Sequence, residues 1–135
     1  MSHKELLATL FTEQKKSIDD FFSRMDIDAA ATFLKKLIEC QGLIFFSGIG
    51  KSGLVARKIA DTLTSTGTKS LYLSATNALH GDIGLVSKGD IFVFLSKSGE
   101  SEELHSLVPA LRNKGAFLVA IVCQPNNHLS KLCDL

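Results

Sequence analysis

The sequence predicts an α/β fold in which helices cover both faces of a parallel sheet, giving three layers with a flavodoxin-like strand order. From Leu43 onward, short continuous apolar runs alternate with segments of helical periodicity, a pattern typical of strands buried on both faces. Polar segments rich in glycine or serine follow three of these runs. Two helices are expected to precede the first strand.

The size and charge of the chain restrict its function class. At 135 residues it has the size of one compact domain, and we interpret residues 1–135 as one domain. Its formal net charge of +1 creates no overall field that would attract nucleic acid or an anionic membrane. The longest apolar run, Ala116 to Cys123, is too short for a membrane span, and the N-terminus does not resemble a signal peptide. Three cysteines without a CxxC pair favour a reducing, cytoplasmic setting.

The first predicted elements are two amphipathic helices. Apolar residues recur every three or four positions between Leu6 and Met25. Asp28 is the expected N-cap of a second helix that ends near Gly42. The Leu- and Phe-rich face of the first helix is expected to cover the sheet or a partner subunit.

Strands and helices then follow in the order β-α-β-loop-β-α-β. Stripes of apolar residues predict the two helices, and Pro109 is expected to bend the second because it removes a backbone hydrogen bond. A short helix or ordered loop is expected within Asn77–Asp82. A further helix opens after Pro125-Asn126-Asn127, so the last strand of the sheet is expected to be missing. The runs that predict strands are Leu43–Phe46, Ser70–Leu73, Ile91–Leu95 and Ala116–Val122.

The first loop that could carry chemistry is Gly48-Ile49-Gly50-Lys51-Ser52-Gly53. Its glycines let backbone approach a ligand, while Lys51 and Ser52 place a cation and a hydroxyl beside the amides of a helix start. The loop also matches the dinucleotide pattern G-x-G-x-x-G, but the second strand ends without the acidic residue that would bind a ribose. A P-loop would need glycine where Phe45 stands. Two interpretations of this loop therefore remain: an anion-binding site, or a tight turn with no ligand.

A second candidate loop, Ser96-Lys97-Ser98-Gly99-Glu100-Ser101, lies between the third strand and the following helix. Because the carboxyl ends of parallel strands meet at one edge of the sheet, its hydroxyls and amides can surround a phosphate together with the first loop. The alternative is that Ser98 or Ser101 only caps the helix. Glu102 is interpreted as a favourable charge in its first turn.

Histidines give weaker signals. His80, within Leu79-His80-Gly81-Asp82, is either a local hydrogen-bonding residue or a site residue. His3, His105 and His128 are interpreted as scattered surface residues.

Four motifs, in their order and spacing, resemble the arabinose 5-phosphate isomerases, which carry a sugar isomerase (SIS) domain. The resemblance covers nearly the whole chain and is strongest from Gly48 to Glu103. The motifs are Gly48-Ile49-Gly50-Lys51-Ser52-Gly53, Ser65-Thr66-Gly67-Thr68, Ala78-Leu79-His80-Gly81-Asp82 and Ser96-Lys97-Ser98-Gly99-Glu100-Ser101-Glu102-Glu103.

The resemblance implies reversible conversion of D-ribulose 5-phosphate to D-arabinose 5-phosphate for synthesis of the lipopolysaccharide sugar Kdo. It implies no organic cofactor and a homotetramer. No metal-ligating residues are assigned. It further implies that the domain is incomplete at its C-terminus, because the domain of this family continues with another strand and helix.

Site residues carried over by motif suit this chemistry, since isomerisation through an enediol needs an acid/base and stabilisation of developing charge. Glu103 matches the acid/base position, Lys51 the charge stabiliser or proton donor, and His80 a position near the sugar. The substrate-binding set is Gly50, Ser52, Gly67, Thr68, Ser96, Ser98, Ser101 and Ser106.

Two other functions remain open. SIS domains also act as sugar-phosphate sensors in transcriptional regulators, although these usually add a DNA-binding helical domain that the N-terminal helices do not resemble. The second of these functions is a nucleotide-binding oxidoreductase, which is disfavoured by the absence of an acidic residue after the second strand and by Lys51 in the glycine loop.

Overall fold

A computed structural model describes all 135 residues, which divide into two compact units, Met1–Leu34 and Lys35–Leu135. The N-terminal helices are α1 (His3–Ser23) and α2 (Ile27–Glu39). The predicted N-cap at Asp28 is wrong: the Asp26 carboxylate accepts a hydrogen bond from the Ala29 amide at 2.9 Å, so α2 begins before Asp28. None of the helices has the length and apolar character needed to cross a lipid bilayer.

The second unit contains a sheet of four parallel strands, which confirms the predicted fold class. Its strand order is β2-β1-β3-β4, the flavodoxin-like order. β1 and β3 are buried at every position, and this explains why their sequences read as continuous apolar runs. The strands are β1 (Ile44–Gly48), β2 (Ser70–Tyr72), β3 (Ile91–Ser96) and β4 (Phe117–Val122).

Helices cover both faces of this sheet. One face packs against α3 through small buried residues such as Ala56 and Ala60. The opposite face forms the main core, in which the rings of Phe45 and Phe94 lie 6.0 and 4.9 Å from that of Phe92. The helices of this unit are α3 (Lys51–Ser65), α4 (Ala75–Leu79), a 3-10 helix (Asp82–Leu85), α5 (Glu102–Asn113, continuous through Pro109) and α6 (His128–Leu132).

The strand order fixes where a ligand can enter. The chain passes from β1 to β2 on one side and then returns to β3 on the other side, so the topological switch point lies between β1 and β3. At their carboxyl ends Gly48 is paired with Leu95. The loops that follow β1 and β3 therefore open side by side, at the place where open α/β sheets bind ligands.

The C-terminal residues bond to the outer edge of β4. The Asp134 amide donates to the Leu118 carbonyl and the Ala120 amide to the Leu135 carbonyl, both at 2.8 Å. The Asp134 carboxylate also accepts from the Leu118 amide at 2.8 Å and from Arg112 at 2.7 Å. Burial opposes its ionised form, but these two hydrogen bonds, together with the positive charges of Arg112 and Lys36, outweigh burial and hold the pKa of Asp134 below its ordinary value.

We expect Asp134→Asn to lower the free energy of unfolding by about 1–2 kcal/mol at pH 7, because it removes a charged hydrogen-bond acceptor. Since the folded-state pKa is depressed, the stabilisation is fully present above the unfolded-state value of about 3.9 and is lost as the pH falls through the folded-state pKa. Urea unfolding of wild type and variant at pH 7 and pH 3 measures this difference. The exposed Asp61→Asn is the control, and an Asp134 effect that is equal at both pH values would contradict the assignment.

Candidate functional site

The turn after β1 depends on its glycines. Gly50 has φ 58° and ψ −126°, a conformation essentially restricted to glycine, and a Cβ there would meet nothing within 4 Å. The space that a side chain at position 50 would occupy is therefore open to a ligand. A Cβ on Gly53 would lie 2.6 Å from the carbonyl oxygen of Gly48. The first turn of α3 thus packs directly on the end of β1, which requires glycine at position 53.

Lys51 and Ser52 are the first two residues of α3, beside this open space. Lys51 is exposed and forms no salt bridge, so its ammonium group is available to a ligand. The Ser52 side chain is half-buried. A cation and a hydroxyl therefore flank the free amides of the helix N-terminus, as the sequence predicts.

Side-chain capping separates the helices into two groups. Ser2, Ser74 and Asn127 each accept a hydrogen bond from the first turn of α1, α4 and α6, respectively. No side chain caps α3 or α5, although Ser101 occupies the N-cap position of α5. The two helices that begin beside the switch point thus keep free N-terminal amides, which attract anions. The first turn of α3 contains no acidic residue, whereas that of α5 contains Glu102 and Glu103.

The serine loop, which we define as Lys97–Ser101, follows β3. The Ser96 hydroxyl accepts from the Gly99 amide at 2.9 Å, and the Ser98 hydroxyl accepts from the Glu100 amide at 3.2 Å. Each hydroxyl has one hydrogen, which neither bond uses. These serines therefore order the loop and still have a donor for a ligand.

The remaining predicted residues near this edge belong to α4 and α5. Glu103 is exposed in the first turn of α5, and the Ser106 hydroxyl one turn later donates to the Glu102 carbonyl at 2.8 Å. His80 is exposed at the C-terminal end of α4, which packs against α5. The structure therefore places Lys51 and Glu103 at the starts of α3 and α5, neither of which has a side-chain cap.

Two predicted substrate-binding residues lie elsewhere. Gly67 and Thr68 precede β2, at the amino-terminal edge of the sheet and opposite the glycine loop. There they line a pocket of about 320 Å³ together with Cys40 and Lys69. The structure does not bring them together with Lys51.

Ser47 is a polar residue to which no sequence motif assigns a role. It is fully buried in β1, next to the glycine loop, and its hydroxyl has no hydrogen-bond partner. An unpaired buried hydroxyl destabilises a fold.

We expect Ser47→Ala to raise the free energy of unfolding by about 1 kcal/mol, because the unpaired hydroxyl is removed. Chemical denaturation measures the change. Ser96→Ala is the matched control: its hydroxyl accepts from the Gly99 amide, so that substitution should destabilise the fold. A loss of stability in Ser47→Ala would show that the hydroxyl is paired.

His105 and His128, interpreted from sequence as scattered, are in contact in the structure. Their ring centroids lie 4.5 Å apart in an edge-to-face arrangement, and His105 is half-buried. They belong to α5 and α6, and no local spacing predicts that these two helices pack together.

Comparison with known proteins identifies the family. Residues 37–135 match the SIS domain. Arabinose 5-phosphate isomerase KpsF of Escherichia coli O6:H1 is 38% identical over 122 residues, 90% of this chain and 37% of the relative. An uncharacterised protein of Chlamydia pneumoniae is 42% identical over 135 residues, 100% of this chain and 41% of the relative. A solved Escherichia coli CFT073 protein in complex with arabinose 5-phosphate is 34% identical with a TM-score of 0.88, covering 100% of this chain and 73% of that chain.

The chain spans about two fifths of the length of the curated relatives it matches. The family match extends over most of the chain and includes both candidate loops. The chain belongs to the SIS domain family and is similar to its arabinose 5-phosphate isomerases.

Proposed function

We propose that this chain is the sugar-phosphate-binding domain of an aldose–ketose isomerase that interconverts D-arabinose 5-phosphate and D-ribulose 5-phosphate. The observation that carries the proposal is the pair of uncapped helix starts, α3 and α5, on either side of the switch point. Their free amides suit a phosphate. Similarity to KpsF and to the protein solved with arabinose 5-phosphate supports the choice of sugar phosphate.

In this proposal the phosphate lies between the α3 start and the serine loop. Ser52, Ser96, Ser98 and Ser101 supply hydroxyls, and the glycine at position 50 leaves room for the ligand. Gly67 and Thr68 are left out of this site because they lie at the other edge of the sheet. Ser106 has a supporting role, since its hydroxyl bonds to the backbone of α5.

Isomerisation itself requires a proton to move between two adjacent carbons of the sugar. We assign Glu103 as the base that takes the proton from C2 of the aldose and returns it to C1. Lys51 stabilises the negative charge that develops on O1 of the enediolate while the hydroxyl proton moves from O2 to O1, and His80 contacts the sugar hydroxyls. No step of this scheme requires an organic cofactor.

A wider role is part of the same proposal. We propose that the activity supplies Kdo and lipopolysaccharide synthesis in the cytoplasm, and that residues 1–135 form one SIS-type domain, because the neighbour solved with arabinose 5-phosphate aligns over the whole chain. We also propose a homotetramer, in which exposed apolar side chains of α1 such as Phe11, Phe21 and Phe22 are covered.

Lys51→Met provides the test of the site. Calorimetry of the wild type should detect binding of D-arabinose 5-phosphate and D-ribulose 5-phosphate but not of NAD. Removing the ammonium group should weaken sugar-phosphate binding about 10–100-fold, because its charge-assisted contact to the oxygens at C1 and C2 of the sugar is lost. Lys58→Met, an exposed lysine on the same helix, is the control and should bind like wild type.

The other outcomes separate the competing functions. Binding of NAD without sugar phosphate would favour an oxidoreductase. Equal binding by the Lys51 and Lys58 variants would remove Lys51 from the site. Tight sugar-phosphate binding without turnover would favour a sensor.

A further inference from the structure

Residues of α5 and α6 hold the serine loop at the Gly99 carbonyl. The Gly99 carbonyl accepts two hydrogen bonds, from the Leu129 amide at 3.0 Å and from Nε2 of His105 at 2.8 Å. A carbonyl oxygen can only accept, so Nε2 of His105 must carry a hydrogen. The carbonyl is therefore fixed by donors from two separate helices, α5 and α6.

Gly99 is also enclosed by Asn127. It has φ +72°, and any Cβ at this position would overlap the Asn127 side chain. Asn127 is buried and is itself fixed, since it accepts from the Ser130 amide at 2.8 Å and donates to the Gln124 carbonyl at 2.7 Å. The Asn127 side chain thus packs in a fixed position against Gly99, in the middle of the loop.

Two further hydrogen bonds join the loop, near each of its ends, to residues that follow β4. The Lys97 carbonyl accepts from the Cys123 amide at 3.2 Å, and the Glu100 carboxylate accepts from the His128 amide at 2.9 Å. The His128 ring in turn packs edge-to-face on His105. This contact restrains the imidazole that holds the Gly99 carbonyl.

A chain of hydrogen bonds leads from His105 to Ser98. His105 donates to the Gly99 carbonyl, and the Glu100 amide, on the opposite side of the same planar peptide group, donates to the Ser98 hydroxyl at 3.2 Å. Having accepted this bond, the hydroxyl has its own hydrogen left to donate. Successive hydrogen bonds of this kind polarise one another, so the first donor strengthens the last.

We propose that His105 is a positioning residue for the sugar-phosphate site: it orients the Gly99–Glu100 peptide so that the Ser98 hydroxyl donates to the phosphate. At the start of α6, Leu129 bonds to the same peptide, Asn127 packs against Gly99 and the His128 amide bonds to the Glu100 carboxylate. This inference rests on the proposed function, because it takes the serine loop as the phosphate-binding loop. It assigns His105 no contact with the substrate.

The test compares His105→Leu, which removes the donor, with His105→Gln, which keeps an N–H group. Calorimetry with D-arabinose 5-phosphate should show about 5–10-fold weaker binding for the Leu variant, the effect of one lost hydrogen bond, and recovery to within about twofold of wild type for the Gln variant. His3→Leu, at the start of α1, is the control and should bind like wild type. Equal binding by wild type and His105→Leu would overturn the proposal, as would the absence of rescue by Gln.

A double-mutant cycle shows whether His105 acts through Ser98. In the Ser98→Ala background, His105→Leu should cause no further loss of binding, because the hydroxyl that it orients is gone. Additive losses would overturn the proposed route. Should His105→Leu fail to fold, the wild-type ¹⁵N–¹H spectrum decides: the Nε2–H signal of His105 should be protected from exchange and shift on addition of D-arabinose 5-phosphate, and an unprotected, unresponsive signal would overturn the proposal.

These outcomes are distinct from failure of the proposed function. Wild type that binds no sugar phosphate would overturn the proposed function and this inference with it. Wild type that binds as expected, with no effect of His105→Leu, would overturn the inference alone.

Discussion

Gly53→Ala is expected to lower the free energy of unfolding by about 3 kcal/mol, at the upper end of what overpacking usually costs, and to abolish sugar-phosphate binding. A Cβ at this position would lie 2.6 Å from the Gly48 carbonyl oxygen and 3.1 Å from the Tyr72 hydroxyl. The first of these atoms belongs to the backbone of β1, so the clash is relieved only if α3 moves away from the strand. That movement displaces the amides and Lys51 from the candidate site. Urea denaturation and calorimetry measure the two effects.

Gly84→Ala is the matched control. A Cβ on Gly84 would meet nothing within 4 Å, and this glycine does not have a positive φ. The substitution should therefore change stability by no more than about 1 kcal/mol and leave binding intact. Comparable losses in both variants would mean that the close approach of α3 to β1 does not shape the site.

Glu103→Gln is expected to slow isomerisation of D-arabinose 5-phosphate by about 10²–10⁴-fold, the usual contribution of a general acid/base. Glutamine has nearly the same shape but cannot take up and return a proton. Affinity for the sugar phosphate should stay within about threefold of wild type, because the serine loop and α3 that bind the phosphate are unchanged. Ketose formation followed by NMR, together with calorimetry, separates the rate from the affinity.

Glu102→Gln serves as the control for this experiment. Glu102 is exposed in the same first turn of α5 and is interpreted only as a partner of the helix dipole. Full activity in both variants would remove Glu103 from the mechanism. Absence of turnover in the wild-type chain would refute the catalytic part of the proposal and leave a sugar-phosphate-binding module.

Much of the fold follows from local sequence pattern. β1 and β3 are buried on both faces, so their runs contain only apolar and small residues, and this identifies them as central strands of a parallel sheet. The glycine loop is predictable for the same kind of reason: positive φ at Gly50 and close packing at Gly53 each demand a missing side chain.

Other features depend on the path of the chain in space, which a local sequence pattern does not predict. The sequence pattern predicts Asp28 as the cap of α2, and only the path of the chain into the helix shows that Asp26 accepts the capping hydrogen bond. Thr68 sits in a motif beside β2, but the direction of that strand carries it to the edge opposite the site. Its position follows from strand direction, not from its distance along the chain.

The parallel α/β class, the two loops that can bind an anion and the residue types they present all follow from local sequence, because strand burial and glycine conformation act over a few neighbouring residues. Which helix starts lack a capping side chain, and what supports the serine loop, depends on how the elements pack in space. The hydrogen bond from His105 to the Gly99 carbonyl joins α5 to the loop after β3. The packing of Asn127 against Gly99 joins the start of α6 to the same loop. Such contacts exist only once the sheet has placed these elements together, since the physical interactions that create them are long-range in sequence and short-range in space.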